Sequence, residues 1–459
     1  MIDPRSMCSG VVPLSGRLEP WHEELCEEPG TLERWIDEHG SPVNVIHLGA
    51  MGRNAAELTD AAAAREVSCR VFFARKANKA LSLVDEAKRL GLGVDVASER
   101  ELRQVLERGF DPADVIVTAA VKPAALLRLC LEAGTTVAID NRDELDLLCQ
   151  LAVEAGARAQ MAPRLAPEPA RGRPPTRFGM TPAEILGALE AVEGSPAVAG
   201  VHFHLDGYDA GERVAAIGES LRLVDELRDS GHEPGFVDIG GGVPMSYLNS
   251  GAEWEELWAE HSRALAGDRD EITFDGHPLG AVYPYSQSPV RGEWLARILD
   301  ASIHTSTVAE ALQSRGLELR LEPGRALLDG CGMSVARVEF RKQRSDGTWL
   351  VGLAMNRTQV RSTSDDFMVD PLLLRPPGAG EPTDAIEAYL VGAYCIEREL
   401  LSWRRFRFPK GVAIGDLVAF PNTAGYLMHI LESASHQIPL ARNLVLADGD
   451  ATLDEIDDA

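Results

Sequence analysis

Short apolar runs alternate with amphipathic segments along the first two thirds of the chain, and this alternation restricts the possible folds more than any other feature. Eight of the runs are rich in β-branched residues and are typical of buried strands. They begin at Val43, Ser68, Gly93, Val115, Thr136, Arg158, Val198 and Phe236. The segments between most of them have helical spacing and often close with a glycine. Eight strand–helix units predict a (β/α)8 barrel, although a doubly wound open sheet would have the same local pattern.

A second domain is indicated by a change of pattern after about residue 317. Alternating or short apolar runs such as LELRLEPG and TWLVGLAM follow there, separated by turns and with little helix. We therefore predict three parts: an N-terminal segment over residues 1–42 that packs on the β domain, a barrel over 43–320, and a mostly β domain over 321–459 with an acidic tail.

Charge and composition limit the binding partners and the cellular compartment that we expect. The formal net charge of -26 repels polyanions, so neither nucleic acid nor an anionic membrane is an expected partner. The N-terminus lacks the apolar core of a signal peptide, and no stretch is apolar for long enough to cross a bilayer, so we expect a cytoplasmic protein. The seven cysteines show no CxxC pair and no metal-ligand spacing, and we predict no metal site.

Several predicted strands end on polar residues, and barrels of this type place their chemistry at the C-terminal ends of the strands. Lys76 follows the apolar run VFFAR. Partial burial there would lower the pKa of its amine and make it a nucleophile, although a solvated strand end is the commoner role for such a lysine. The other polar strand ends are Asp95, Asp140, Arg164 and His204.

Three further motifs each allow a structural and a functional reading. The glycines of DIGGG, residues 240–242, suit an anion held by backbone amides, or simply a tight turn. His202 and His204 lie two apart and face one side of a strand, as core histidines or, with no third ligand evident, less plausibly as a metal pair. In EPGR, Glu322 and Arg325 form either a structural ion pair or part of a site.

Taken together, the motifs ARKAN, GVDVASERE, RFG, GVHFH, DIGGG, EPGR, GAYC and AGY occur in one order between about residues 40 and 430. In this order they resemble the fold-type III pyridoxal phosphate (PLP) decarboxylases, the group of diaminopimelate, ornithine and arginine decarboxylases. The resemblance implies an alanine-racemase-like (β/α)8 barrel with a C-terminal β domain. It also implies PLP as the cofactor and decarboxylation of an amino acid, or of an amino-acid-derived substrate, to an amine.

The resemblance also implies roles for single residues. Lys76 would form the Schiff base with PLP, His204 would stack on the pyridine ring, and Glu322 would pair with the pyridine nitrogen and favour decarboxylation over racemisation. Cys395 of GAYC would come from the partner subunit to protonate the carbanion, which implies a homodimer with shared active sites. The remaining implied cofactor-binding residues are Asp95, Arg164, Gly240, Gly241, Gly242, Gly324, Arg325 and Tyr426.

The sequence departs from the family pattern in three places. Ile396 follows Cys395 where an acidic residue usually binds the distal ammonium of a basic substrate, so a basic diamino acid is in doubt. DGY at residues 206–208 replaces a serine-containing segment that would contact the phosphate. An insertion at about residues 248–295 leaves the barrel mouth. The candidate substrate residues are therefore Ile396, Glu397, Glu399, Asp365, Asp366, Tyr283, Tyr285 and Gln287, and a dimer contact or surface flap is an equal reading of the insertion.

Two other functions fit the same fold. An amino-acid racemase or epimerase would use Lys76 and Cys395 as opposed bases, and Glu322 argues against it. A non-catalytic PLP-binding protein would not need the second domain or the GAYC motif.

Overall fold

A ring of short parallel strands forms the first domain of the computed structural model, which describes residues 4–169, 174–193, 196–363, 365, 367–447 and 449–458. In order around the ring, the strands are Cys69–Ala74, Gly93–Val96, Val115–Val117, Thr136–Ile139, Gln160–Pro163, Ala197–Val198 with its continuation Gly200–His202, Phe236–Asp238 and Glu318–Leu321. A parallel bridge between Arg164 and His202 completes the ring on one side. The ring confirms the predicted (β/α)8 barrel.

Helices cover the outside of the ring and bury their apolar faces against the strands. They are Gly49–Ala63, Leu81–Arg89, Glu99–Glu107, Ala124–Ala133, Arg142–Ala155, Pro182–Ala191, Ala210–Asp229, Arg291–Asp300 and Val308–Ser314. The closing glycines predicted from the sequence end two of them, because Gly134 and Gly156 adopt the left-handed conformation with φ of 79° and 61°. Across the described part of the chain, no helix has the length and apolar character to span a membrane.

Two strands differ from the sequence prediction. Val43–Ile46, predicted as the first barrel strand, pairs instead with strands Gly332–Gln343 and Arg442–Ala447 of the second domain. The last barrel strand is Glu318–Leu321, whose alternating polar pattern had suggested the β domain. The barrel side chain of Arg320 lies over the ring of Phe236 at 3.7 Å, so a polar position of this strand is covered by an aromatic ring.

The second domain is a mostly antiparallel sheet built from both ends of the chain. Its strands are Ser9–Gly10, Val43–Ile46, Gly332–Gln343, Trp349–Leu353, Leu372–Leu374, Ile386–Val391, Phe406–Phe408, Leu417–Pro421, Arg442–Ala447 and Asp450–Leu453. The helices Pro20–Glu27 and Pro29–His39 lie against this sheet and bury Leu32, Trp35 and Ile36 in a cluster with its strand residues. The chain before the barrel therefore packs on the β domain.

The insertion leaves the barrel after Phe236–Asp238 and contacts the β domain. It contains the helix Gly251–Leu265 and the short turn Phe274–Gly276. The backbone N–H of Phe274 donates to the carbonyl of Trp403 at 2.9 Å, and that of Arg405 donates to the carbonyl of Ile272 at 2.9 Å. Residues 291–295, predicted as the end of the insertion, begin the helix Arg291–Asp300, which packs on the barrel helices.

Candidate active site

Lys76 stands at the mouth of the barrel in the turn that follows the strand Cys69–Ala74. The neighbouring strand pairs Ala74 with Asp95, and this register brings the two polar side chains together. The Nζ atom of Lys76 donates to Oδ2 of Asp95 at 2.8 Å, while the Thr118 hydroxyl donates to the other carboxylate oxygen. Asp95 is buried and 35% of the Lys76 side chain is exposed, so the amine is held with one face open to the mouth.

The electrostatics of Lys76 differ from the expectation. Burial lowers the pKa of Lys76, but the carboxylates of Asp95 and Glu322 together raise it by more than burial lowers it. The net effect places the pKa well above that of an ordinary lysine. The predicted fall in pKa is therefore wrong for the protein without a ligand. The amine is protonated at neutral pH, and it must lose a proton before it can act as a nucleophile.

Glu322 follows the last barrel strand and lies in a buried group with His202 and Asp238. The strand register sets Asp238 beside His202 on one side and Arg320 on the other, which brings the group together. His202 Nε2 lies 3.2 Å from Glu322 Oε1, and among the described residues neither atom has a hydrogen-bond partner of good geometry. Burial raises the pKa of both carboxyl groups, and Glu322 raises that of Asp238 further.

His202 is a core histidine with a neutral ring. Its Nδ1 accepts a hydrogen bond from Arg164 Nε at 3.2 Å, and burial followed by the Arg164 charge lowers its pKa well below the usual range. The sequence had offered no third ligand beside the two histidines, whereas the fold brings the oxygens of Asp238 and Glu322 within 4.8 Å of the His202 ligand atom. The cations of Arg164 and Lys76 disfavour a metal ion there.

Arg164 connects three strand ends. Besides His202, its guanidinium donates to Asp140 Oδ1 at 3.1 Å and to the carbonyl of Thr118 at 3.2 Å. Thr118 in turn bonds Asp95, so these contacts form a continuous polar layer beneath the mouth. Asp140 was predicted only as a polar strand end, and its contact with Arg164 gives it a role in orienting that side chain.

The glycine loop at residues 240–242 is a tight cradle. Gly240 and Gly242 have φ of 65° and 74°. A Cβ on Gly242 would lie 2.2 Å from Arg213, and one on Gly240 would lie 2.8 Å from the carbonyl of Phe203, so no larger residue fits at either position. His204 follows its strand and packs against this loop. A Cβ on Gly240 would lie only 2.9 Å from the Nδ1 atom of His204. Burial first, then the cation of Arg213, lower the pKa of His204, so its ring is neutral.

Arg213 is a residue that the sequence analysis missed. It is fully buried on the helix Ala210–Asp229 and donates to the carbonyls of Ile239 and Gly241, each at 2.8 Å. It also donates to the carbonyls of Leu205 and Gly207, so one guanidinium joins the glycine loop to the loop after the sixth strand. The sequence contained one indication of this residue. Arg213 precedes the buried Ala216 and Ile217 by three and four residues, so it lies on the same inward face of the helix.

Arg325 lies at the rim of the barrel mouth beside three tyrosines, Tyr208, Tyr247 and Tyr283, which we call the tyrosine cluster. Its Nη1 donates to the Tyr247 hydroxyl at 2.9 Å, and its Cζ lies 4.0 Å from the ring centroid of Tyr283. Tyr426 completes this side of the mouth. Its backbone N–H donates to the carbonyl of Ala77 at 2.8 Å, and a Cβ on Gly324 would lie 2.5 Å from its hydroxyl.

The predicted substrate residues that the structure describes do not form one site, although Tyr283, Tyr285 and Gln287 lie close together in the insertion. Asp365 accepts from His277 Nε2 at 3.0 Å and from the Gly280 N–H at 2.8 Å, so it fastens the insertion. Glu399 is buried and accepts from the Arg357 N–H at 2.7 Å. Tyr285 is buried beside Tyr247. Cys395, Ile396 and Glu397 are exposed on a loop of the β domain, and Asp366 lies outside the described residues.

The side chains at the mouth fit PLP in three respects. Lys76 supplies an amine that can hold the aldehyde carbon covalently. Glu322 presents a buried oxygen without a hydrogen-bond partner among the described residues, as a protonated ring nitrogen requires. The glycine cradle and Arg325 supply amide and guanidinium donors of the kind that bind phosphate.

Comparison with known proteins identifies the family. The pyridoxal binding domain of the pyridoxal-dependent decarboxylases matches residues 53–273. The chain is 32% identical over 423 residues to the uncharacterized protein y4yA of Sinorhizobium fredii, covering 91% of this chain and 90% of that protein. It is 27% identical to the diaminopimelate decarboxylase of Pseudomonas aeruginosa, covering 94% and 93%.

The fold agrees with these matches. The diaminopimelate decarboxylase of M. jannaschii in co-complex with L-lysine superimposes with a TM-score of 0.71 at 18% identity, covering 92% of this chain and 90% of that chain. Lys76, the glycine loop and Glu322 lie at the mouth of the same kind of barrel. The chain therefore belongs to the fold-type III pyridoxal-dependent decarboxylases, and it is a PLP-dependent carboxy-lyase.

Proposed function

We propose that this protein removes the α-carboxylate of an amino acid, or of an amino-acid-derived substrate, as CO2 and releases an amine, with Lys76 holding the cofactor. The observation that carries the proposal is the buried carboxyl of Glu322, whose Oε1 atom has no hydrogen-bond partner among the described residues, at the same barrel mouth as the Lys76 amine. PLP, when bound, supplies an electron sink, and a carboxylate beside its ring nitrogen strengthens that sink. Glu322 favours loss of CO2 over racemisation for this reason.

The other residues at the mouth have positioning roles in this proposal. Asp95 holds the Lys76 amine in place and keeps it protonated until the cofactor arrives. His204 offers a neutral ring for stacking against the cofactor. The cradle at residues 240–242, with Gly324, Arg325 and Tyr426, would bind the phosphate, and Arg164 orients His202 and Asp140 beneath the site.

We further propose that the enzyme is a homodimer in which Cys395 enters the active site of the partner subunit and protonates the product carbon. Two features support this assembly. Cys395 is the exposed cysteine of the described chain, on a loop where Ile396 is 46% exposed although it is apolar. An exposed thiol is accessible to a second subunit, as this role requires.

The substrate that we propose lacks a free distal ammonium group. Ile396 stands where the family usually has an acidic residue, and the two buried carboxylates Asp365 and Glu399 are engaged by His277 and Arg357. A buried ammonium without a carboxylate partner would cost several kcal/mol, on the order of the penalty for any unpaired buried charge. An apolar or extended side chain fits Ile396 better.

The test is CO2 release from a panel of L- and D-amino acids with basic, apolar and acidic side chains, using PLP-loaded protein and reading amine products by mass spectrometry. Release with formation of one amine is the expected result, and a Lys76→Ala protein should give none. Exchange of the Cα hydrogen with deuterium in the absence of CO2 would contradict the proposal and indicate a racemase.

A further inference from the structure

We propose that Tyr283, which belongs to the insertion, is a positioning residue of the cofactor site, acting through Arg325 at the end that receives the PLP phosphate. The sequence suggested that Tyr283 lines or covers the substrate pocket. The geometry points instead to the opposite end of the site. This inference rests on the proposed role of Arg325, and its test does not depend on which substrate is decarboxylated.

The contacts of Arg325 carry the first step. The guanidinium carbon lies 4.0 Å from the ring centroid of Tyr283, which is the distance of a cation stacked on an aromatic face. At its edge, Nη1 donates to the Tyr247 hydroxyl at 2.9 Å and Nη2 donates to the Ser362 hydroxyl at 2.8 Å. A face contact and two edge contacts together define the plane of the guanidinium, so the fork is already oriented before an anion binds.

The contacts of Tyr283 carry the second step, because a residue that positions another must itself be fixed. Its hydroxyl accepts from Gln287 Nε2 at 3.0 Å, and Gln287 is held in turn by the Met245 carbonyl at 3.0 Å. The hydroxyls of Tyr283 and Tyr208 are hydrogen-bonded to each other, and their rings meet edge to face at 5.5 Å. Tyr283 is buried, so both its ring plane and its hydroxyl are fixed by the barrel and the insertion.

The location of the cluster carries the third step. Tyr208 and Tyr247 follow the sixth and seventh barrel strands, and Met245 lies just beyond the glycine cradle. Barrels commonly bind phosphate with the loops after their last strands. The ring of Tyr426 also lies 5.2 Å from Arg325, so the guanidinium is between the tyrosine cluster and the residue that meets Gly324. The insertion therefore completes the phosphate end of the site.

The experiment compares two ligands, PLP and pyridoxal, which lacks the phosphate. Apoprotein is titrated with each ligand, and the dissociation constants are read from tryptophan fluorescence and from the visible band. Tyr283→Leu removes the stacked ring, and we expect it to weaken PLP binding about tenfold, the size of a partly desolvated cation–π contact. The affinity of the Tyr283→Leu protein for pyridoxal should stay within about twofold of the affinity of the unchanged protein. Tyr283→Phe retains the ring and should lose less than Tyr283→Leu.

Three other variants make the test decisive. Arg325→Lys should weaken the binding of PLP but not that of pyridoxal, as Tyr283→Leu does. Tyr247→Phe should have the same selective effect, and it provides a second test of the Arg325 contacts if Tyr283→Leu does not fold. Trp254→Leu changes a ring of the same insertion that packs on Tyr285, and it should alter neither constant. Equal weakening of PLP and pyridoxal binding in Tyr283→Leu, unchanged PLP binding in a folded Tyr283→Leu protein, or an equal effect of Trp254→Leu would overturn the inference.

Discussion

The Nζ atom of Lys76, in the turn after one barrel strand, lies 2.8 Å from Oδ2 of Asp95, which belongs to the neighbouring strand. The carboxylate stabilises the ammonium form of Lys76, and Glu322 adds to that effect, so the pKa of Lys76 is raised. Only the neutral amine attacks an aldehyde. These two carboxylates therefore set the pH at which the apoprotein captures its cofactor.

Asp95→Asn should move that pH downward. Loss of an adjacent carboxylate lowers the pKa of the ammonium by about one unit or more, so the neutral amine is present at lower pH. The rate at which apoprotein forms the visible PLP band should then reach half its maximum at a lower pH than in the unchanged protein. Asp140→Asn, which removes a carboxyl bound to Arg164, serves as the matched control. An unchanged pH profile for Asp95→Asn would be contrary to this account.

Glu322→Gln should separate cofactor binding from turnover. The amide has the same shape, so Lys76 should still hold PLP and the visible band should remain. The decarboxylation rate should fall by roughly a hundredfold or more, as it does when a preorganised electrostatic partner of the reacting group is removed. Glu318→Gln lies on the same strand but faces Arg320 at 2.7 Å, and it should keep full activity. A fully active Glu322→Gln enzyme with bound PLP would remove the basis of the proposed function.

Mixing two inactive variants tests the proposed dimer. Lys76→Ala and Cys395→Ala homodimers should each be inactive or nearly so. After subunit exchange, half of the dimers would carry one intact site of two, so about a quarter of the normal activity should return in a twofold-symmetric dimer. The measurement is CO2 release after co-incubation, with the double variant as the control. If activity stays at the level of the separate proteins although exchange is complete, Cys395 does not act across the interface.

Arg213→Met should destabilise the protein before any chemistry is considered. Four backbone carbonyls lose their donor in a buried region, and we expect the free energy of unfolding of the apoprotein to fall by about 3 kcal/mol or more. Arg222→Met, on the exposed face of the same helix, should change it by less than about 0.5 kcal/mol. Denaturant unfolding of the two variants gives the comparison, and equal losses would contradict a special role for Arg213.

The sequence identified the barrel and the family because motif order carries that information. Lys76 and Glu322 lie at the mouth of that barrel, and their roles toward the cofactor stay predictions. Val43–Ile46 was misassigned because a buried strand of a barrel and a buried strand of the second domain's sheet have the same pattern of β-branched residues. Glu318–Leu321 was misassigned because its Arg320 side chain lies over the ring of Phe236, a contact that no local pattern shows.

Other features depended on contacts between distant parts of the chain. The raised pKa of Lys76 requires knowing that Glu322, far along the sequence, faces it. Asp365 looked like a substrate ligand, but its oxygens bind His277 and the backbone of Gly280 in the insertion. Tyr283 and Arg325 were each candidates from the sequence, but the contact between them is evident only in the three-dimensional arrangement.

The β sheet that uses both ends of the chain has a consequence for biosynthesis. The barrel strands end at Leu321, whereas Tyr426, which bonds Ala77 beside the reactive lysine, is made much later. At ordinary rates of translation, roughly 5 to 20 residues per second, the ribosome needs about 5 to 20 s to synthesise the intervening segment. During that interval Lys76 lies in a mouth that lacks one wall. Stable capture of the cofactor is therefore a late event that follows release of the C-terminal strands.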